Sequence, residues 1–329
     1  MPHLFVASTD LKFSDPKSFP WSMGWAPPVQ VDTPLFAKYV LAQNPDAKIA
    51  VLYQNDDVGK DALKALKSGL GERAARLIVA EASYEITDPT VDSQIVALKG
   101  SGADTFTNFS TPKFAALAIR KVYIGWRPLH ILAGASRSVA AVLRPAGLEK
   151  SVGIVTSAFL KDPTDPRWSD DPAMKEWLAW MAKYYPEGDT GEYYNVVGYS
   201  LAQTLVQVLR QCGDELTREN VMRQAANLKN VELTILIPGI RLNTTPPTIF
   251  RSNKSDYSGS MASSGHCLVK LWVISGSVDP NLDRLCRRCA PKPRDTERID
   301  LVFPVPEIVS RLRPKAWPMA ESQPAALAL

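Results

Sequence analysis

Cysteine is scarce in this chain: Cys212, Cys267, Cys286 and Cys289 stand at irregular spacing, and only the last two form a CxxC. Without a second CxxC or a histidine pair at zinc spacing, a metal site has little support and free thiols are expected. Long apolar runs are also missing. No stretch approaches the ~20 residues a membrane-crossing helix needs, so the chain is not expected to span a membrane. The N-terminus MPHLFVASTD lacks a basic-then-apolar secretion signal, so as written the protein would stay cytoplasmic. Neither charge sign dominates: 38 Lys and Arg offset 34 Asp and Glu. A net charge of +4 argues against a dedicated nucleic-acid partner.

Catalytic signatures are equally sparse. No Walker-type GK[ST] loop occurs. GLGERA at Gly69 to Ala74 fits a GxGxxA pattern, but it ends a helical stretch, so a phosphate there would meet no helix N-terminus. GYSLA at Gly198 lacks the second glycine of a nucleophile elbow and lies in mid-helix. His3, His130 and His266 are scattered without a carboxylate or cysteine partner in sequence. An acid-base or nucleophilic enzyme is therefore not indicated, and no cofactor is expected.

What is present is an α/β pattern. With 45% hydrophobic and 22% charged residues, 329 residues suffice for more than one core, and two lobes are the default expectation. Between residues 48 and 159 short, nearly continuous apolar runs (KIAVLYQ, LIVAEAS, ADTFTNF, LHILAG and VGIVTSAF) alternate with helical stretches. That alternation predicts βαβ units and a parallel sheet covered on both faces. The intervening helices are predicted at Lys60 to Leu70, Val91 to Lys99, Pro112 to Tyr123 and Ser138 to Leu143. Asp88-Pro89 and Thr111-Pro112 read as a capping side chain before an N1 proline. Beyond Phe159 longer helices follow. Met174, Trp177, Leu178 and Met181 form one apolar stripe and Val197, Leu201, Leu205 and Val208 another, with Thr217 as a cap for a third helix.

Ligands of parallel α/β sheets sit beyond the carboxyl ends of the strands, here QNDDVG, NFSTP and AGASRS. Ser110 and Thr111 offer hydroxyls, and the free N–H groups of the helix beginning at Pro112 favour an anionic group. Simple capping by Thr111 is the alternative.

Longer blocks carry a resemblance. FPWSMGW, KIAVLYQNDDVGKD, VAEASYEITDPTVDSQIVALK, TPKFAALAIRK, GWRPLH, FLKDPTDPRW and VGYSLAQTLVQVLRQCGDELTRENVMRQAANLK resemble consecutive segments of the leucine/isoleucine/valine-binding family. Members are extracytoplasmic solute receptors of branched-chain-type ABC transporters. The resemblance covers residues 1 to 248 and implies a type I periplasmic-binding-protein fold, two Rossmann-like lobes with parallel sheets closing on a small solute. It further implies no catalysis, a periplasmic location and permease subunits as partners. Residue by residue, it places ligand contacts at Ala7, Ser8 and Thr9 from the first lobe and at Val58, Thr111 and Ala135 from the second, and Ser110 joins them from its place at the strand end. The family usually has Tyr or Phe where Val58 stands. Where amino-acid-binding members carry an acid to pair the ligand ammonium, this chain has Ala135, so the resemblance favours aromatic or aliphatic carboxylates over plain amino acids.

The resemblance also organises the chain. MPHLFVAS is similar to the last strand of the first lobe, so that lobe is expected to be incomplete, with residues 1–45 its remnant and first crossover. Residues 46–159 would form the second lobe, and 160–248 the helices returning to the first lobe and the crossover strand. With first-lobe strands missing, the stripes on Met174 to Tyr185 and Val196 to Leu209 are expected to be exposed, as in a degenerate, non-functional copy. Residues 249–329 gather prolines and the basic cluster Arg284, Arg287, Arg288, Lys292 and Arg294, and are expected to be a disordered tail. One codon choice for the segment from Ser255, read two bases later, spells the family's closing RFDG..W pattern, which suggests a reading-frame change. Two rival readings are a ligand-sensing regulatory module on the same two-lobed fold and a Rossmann-like enzyme.

Overall fold

The computed structural model describes residues 1–244 and the strand Lys270–Ile274. All five predicted strands form: β3 (Ile49–Gln54), β4 (Ile78–Tyr84), β5 (Thr105–Phe109), β6 (Leu129–Leu132) and β7 (Ile154–Ala158). They lie in one sheet with the order β4-β3-β5-β6-β7-β8, parallel throughout except for β8 (Lys270–Ile274), which runs antiparallel to β7. That strand is an exception to the expectation of a disordered tail. The rest of the tail, with Cys267, Cys286, Cys289, His266, the basic cluster and most of the suspected frame-change segment, lies outside the described residues.

Successive residues of a strand face opposite ways, so a strand buried on both sides feeds two cores. In β3, Ile49 and Val51 join Phe36, Val40 and Leu66 from the helices α1 (Val29–Gln43) and α2 (Asp57–Leu70). Ala50 and Leu52 join Ile95, Leu98 and Phe114 on the other face, from the helices Asp92–Gly100 and Pro112–Tyr123. Both glycines of GLGERA have structural work. A side-chain carbon on Gly69 would stand 2.8 Å from Ala37 Cβ, so this glycine lets α2 pack on α1, and Gly71 ends α2 at φ +61°.

One sequence-based boundary needs correction. Asp88 does not cap the helix that follows: its carboxylate accepts from Glu85 N at 2.9 Å and closes a turn, and the helix starts at Asp92. Helix α1, within the first 45 residues, packs on α2 and on Ile49 and Val51 of β3.

A further core gathers around the short parallel pair β1 (His3–Val6) and β2 (Ser22–Gly24) with the helices Pro172–Tyr184, Tyr193–Cys212 and Arg218–Ala225. Met174, Trp177 and Met181 are buried there, contrary to the expected exposure, while Leu178 remains 38% exposed. On the longest helix the buried face runs through Val196, Ser200, Thr204 and Val208, and Leu205 faces outward at 38%. The shift has a polar cause. Trp25 Nε1 donates to Thr204 Oγ1 at 2.9 Å, and Ser200 and Thr204 donate back to the carbonyls one turn earlier, so hydroxyls substitute for apolar groups on the inward side.

Candidate functional site

The sheet order reverses at β3: the chain leaves it outward to β4 and returns across it to β5. The carboxyl ends of β3 and β5 therefore flank a crevice at the topological switch point. A cleft of about 330 Å³ occupies this position. Ala7, Ser8, Thr9, Val58, Ser110, Thr111 and Ala135 all line it, so the structure brings every predicted site residue to one place.

The turn after β3 is fixed by its own side chains. Asp56 Oδ1 accepts from Gly59 N at 2.8 Å and caps α2, while its Oδ2 accepts from Gln54 Nε2 at 2.5 Å. Gly59 has no room for a side chain, because a Cβ would collide with the Gln54 carbonyl. Val58 follows the cap and presents an apolar side chain to the cleft.

Thr111 settles the capping alternative. Its hydroxyl makes no capping bond to the helix Pro112–Tyr123. It donates to Gln54 Oε1 at 3.0 Å and lies 3.2 Å from the Tyr84 hydroxyl, which also receives the Thr111 N–H at 2.9 Å. Burial pushes the Tyr84 phenol up, so it stays protonated as a donor. Beside this network the Ser110 Oγ is buried in the cleft wall, with only a weak approach to the Tyr84 phenol.

The opposite rim is made by the turn at Gly134 and by the start of the helix Tyr193–Cys212. Tyr194 donates its hydroxyl to Ala135 O at 2.7 Å, and burial pushes that phenol up to about 12. Ser138 donates to Glu192 Oε1 at 2.9 Å. The Arg137 guanidinium lies 4.0 Å from the Tyr193 ring, behind the wall, and donates to Leu160 O.

Asp32, in the first turn of α1, is a cleft residue that sequence reasoning missed. Its Oδ2 accepts from Ser157 Oγ at 2.8 Å. Burial in the cleft wall raises its pKa from an ordinary 3.8 to about 6, and the Ser157 hydrogen bond only partly opposes that rise. Phe36, Phe109 and Phe159 supply apolar wall. The lining thus combines a mostly apolar body with a few convergent hydroxyls and carboxylates, the composition of a small-molecule site. Among the described residues no helix is long and apolar enough to cross a membrane.

Solved structures share this architecture. A substrate-binding periplasmic protein from Ralstonia solanacearum matches with a TM-score of 0.66 at 20% identity, over 82% of this chain and 70% of that one. A possible leucine/isoleucine/valine-binding protein from Rhodopirellula baltica gives 0.65 at 17%, over 83% and 68%. A branched chain amino acid ABC transporter protein from Thermus thermophilus with bound valine gives 0.66 at 12%, over 83% and 69%. No curated protein sequence matches significantly. A family model described as periplasmic binding protein matches residues 2–251, and the chain belongs to that family, with the type I fold of its neighbours.

Proposed function

We propose that this protein receives a small organic solute in the cleft at the β3–β5 switch point and serves as the solute-binding component of an ABC importer. The observation that carries the reading is the convergence of Ala7, Ser8, Thr9, Val58, Ser110, Thr111 and Ala135 on one cleft of about 330 Å³. That volume is at the lower end for small-molecule sites and suits a solute of amino-acid size. The solute class is an amino-acid-like compound or an aromatic or aliphatic carboxylate. A fold relative from Thermus thermophilus that holds valine supports the size. On this reading the protein works in the periplasm, hands its solute to permease subunits and performs no chemistry on it. Purified protein screened by thermal shift against amino acids, small carboxylates, amines, sugars and nucleotides tests the proposal. A small organic solute should raise the melting temperature. Stabilisation by nucleotides alone, or by nothing in the set, would overturn it.

A further inference from the structure

We infer that Asp32 determines the specificity of the cleft by accepting a cationic group of the solute, so that an amine is required for binding. The inference rests on the solute-binding reading and narrows it to the amino-acid-like class. It starts from Ala135, a cleft position where no acid stands. The fold supplies one beside that position from another element. A side-chain carbon on Gly134 would collide with Ser157 Oγ and stand 3.2 Å from Asp32 Oδ2, so the Asp32 carboxylate lies directly against the Gly134–Ala135 turn.

The charge of the lining points the same way. Asp32 and Asp56 line the cleft, and among the described residues no lysine, arginine or histidine does. Asp56 is committed, one oxygen to Gly59 N and the other to the Gln54 amide. Asp32 is not. Ser157 supplies its one short hydrogen bond at 2.8 Å, while the adjacent Thr33 hydroxyl at 3.4 Å and the backbone N–H groups of Asp32 and Thr33 add only weaker ones. A desolvated carboxylate with spare acceptor capacity favours an ammonium and penalises a solute that carries only a carboxylate. The carboxylate of a zwitterionic solute has other partners in the lining, the Ser110 and Thr111 hydroxyls and the N–H groups of the first turn of Pro112–Tyr123.

Affinity should then follow the ionisation of Asp32. The other titratable groups of the cleft lining are Asp56 on α2 and the phenols of Tyr193 and Tyr194, with Glu192 and Arg137 packed near them outside the lining. Burial pushes both phenols further up from their ordinary 10, so they stay protonated at neutral pH. Since burial brings the Asp32 carboxyl to about 6, an ammonium must displace a proton below that pH, and affinity should fall about tenfold per pH unit there.

The test is calorimetry on the full chain with two matched sets: leucine, 3-methylbutylamine and 4-methylpentanoate; phenylalanine, 2-phenylethylamine and 3-phenylpropanoate. At pH 7.5 at least one amine-bearing member should bind at least tenfold tighter than the matched carboxylate. Asp32→Asn should weaken that member at least tenfold and abolish the pH dependence, and its folding is checked by circular dichroism. Ser157→Ala, which leaves the charge in place, should keep the preference for amines. If a carboxylate-only member binds as tightly as its amine-bearing partner, or if Asp32→Asn leaves the preference intact, the inference fails while solute binding stands. If no member binds but the wider thermal-shift screen finds a solute without a cationic group, the inference fails again. If nothing in either experiment binds, the solute-binding reading fails and takes this inference with it.

Discussion

Ser157 Oγ donates to Asp32 Oδ2 at 2.8 Å across 125 positions of sequence, joining the head of α1 to the end of β7. The bond holds a carboxylate in a place that burial makes unfavourable for charge, with its pKa raised from 3.8 to about 6. A raised folded pKa means the folded state binds the proton more tightly. The stabilising contribution of that protonation is complete below about pH 4 and is lost as pH rises through about 6. Asp32→Asn is therefore expected to raise the melting temperature at pH 7.5, by at most about 3 kcal/mol of stability, and to leave it nearly unchanged at pH 4. Thermal denaturation at both pH values checks this, and equal effects at both would contradict it.

His130 works in the opposite sense. It is buried beside Asn108 and the Phe106 ring, and burial depresses its pKa from 6.5 to about 3. The folded state excludes a proton that the unfolded chain takes up, so stability is full above pH 6.5 and falls by about 1.4 kcal/mol per unit between 6.5 and 3. The two slopes partly cancel in the native chain. His130→Leu should flatten the acid limb of a denaturation-versus-pH curve, while Asp32→Asn should steepen the net fall toward acid. An acid limb of unchanged slope in His130→Leu would count against the burial argument.

The turn after β3 makes a steric prediction. Gly59→Ala places a methyl group into the backbone carbonyl of Gln54 and should cost about 1–3 kcal/mol in urea denaturation. Gly100→Ala is the control: nothing stands within 4 Å of the added carbon, so the change should be neutral or stabilise by up to about 1 kcal/mol. Equal effects of the two substitutions would mean that the turn yields freely.

Thr111 and Val58 separate binding from stability. Because the Thr111 hydroxyl bonds to Gln54 and Tyr84 and does not cap its helix, Thr111→Val should weaken solute binding by ~1 kcal/mol while leaving the helix Pro112–Tyr123 intact by hydrogen exchange. Val58→Tyr should tighten binding of an aromatic or branched solute by about 0.5–1.5 kcal/mol, through a ring against the ligand. Weaker binding by the tyrosine variant would remove Val58 from the ligand wall.

Much of this was legible in the sequence, for identifiable physical reasons. The five parallel strands announce themselves because burial on both faces leaves KIAVLYQ or ADTFTNF no room for polar alternation. The strand-end residues follow from the rule that parallel sheets bind ligands at their carboxyl ends, and Ser110 and Thr111 carry hydroxyls at such an end. Asp32 was not legible. A lone aspartate before Thr33-Pro34 reads as a turn or cap, and Pro34 argues against the helix that in fact runs through it. Its partner Ser157 is a short polar residue inside an apolar run, and only the tertiary fold brings the two together. The inward face of the helix Tyr193–Cys212 was hidden for a related reason. Hydropathy selects Leu201 and Leu205, whereas Trp25 selects Thr204 through a hydrogen bond. The expected cap at Asp88 failed because a proline after an acidic residue serves a turn as readily as a helix start.

The central claim is that one cleft, at the β3–β5 switch point, receives the solute. Hydrogen–deuterium exchange of the full chain, with and without the strongest stabilising solute from the thermal-shift screen, tests it most directly. Slowed exchange is expected together in residues 7–9, 54–59, 110–113 and 134–136, with the helix Asp92–Gly100, which does not line the cleft, unaffected. Protection confined to other segments, or none at saturating solute, would contradict the account.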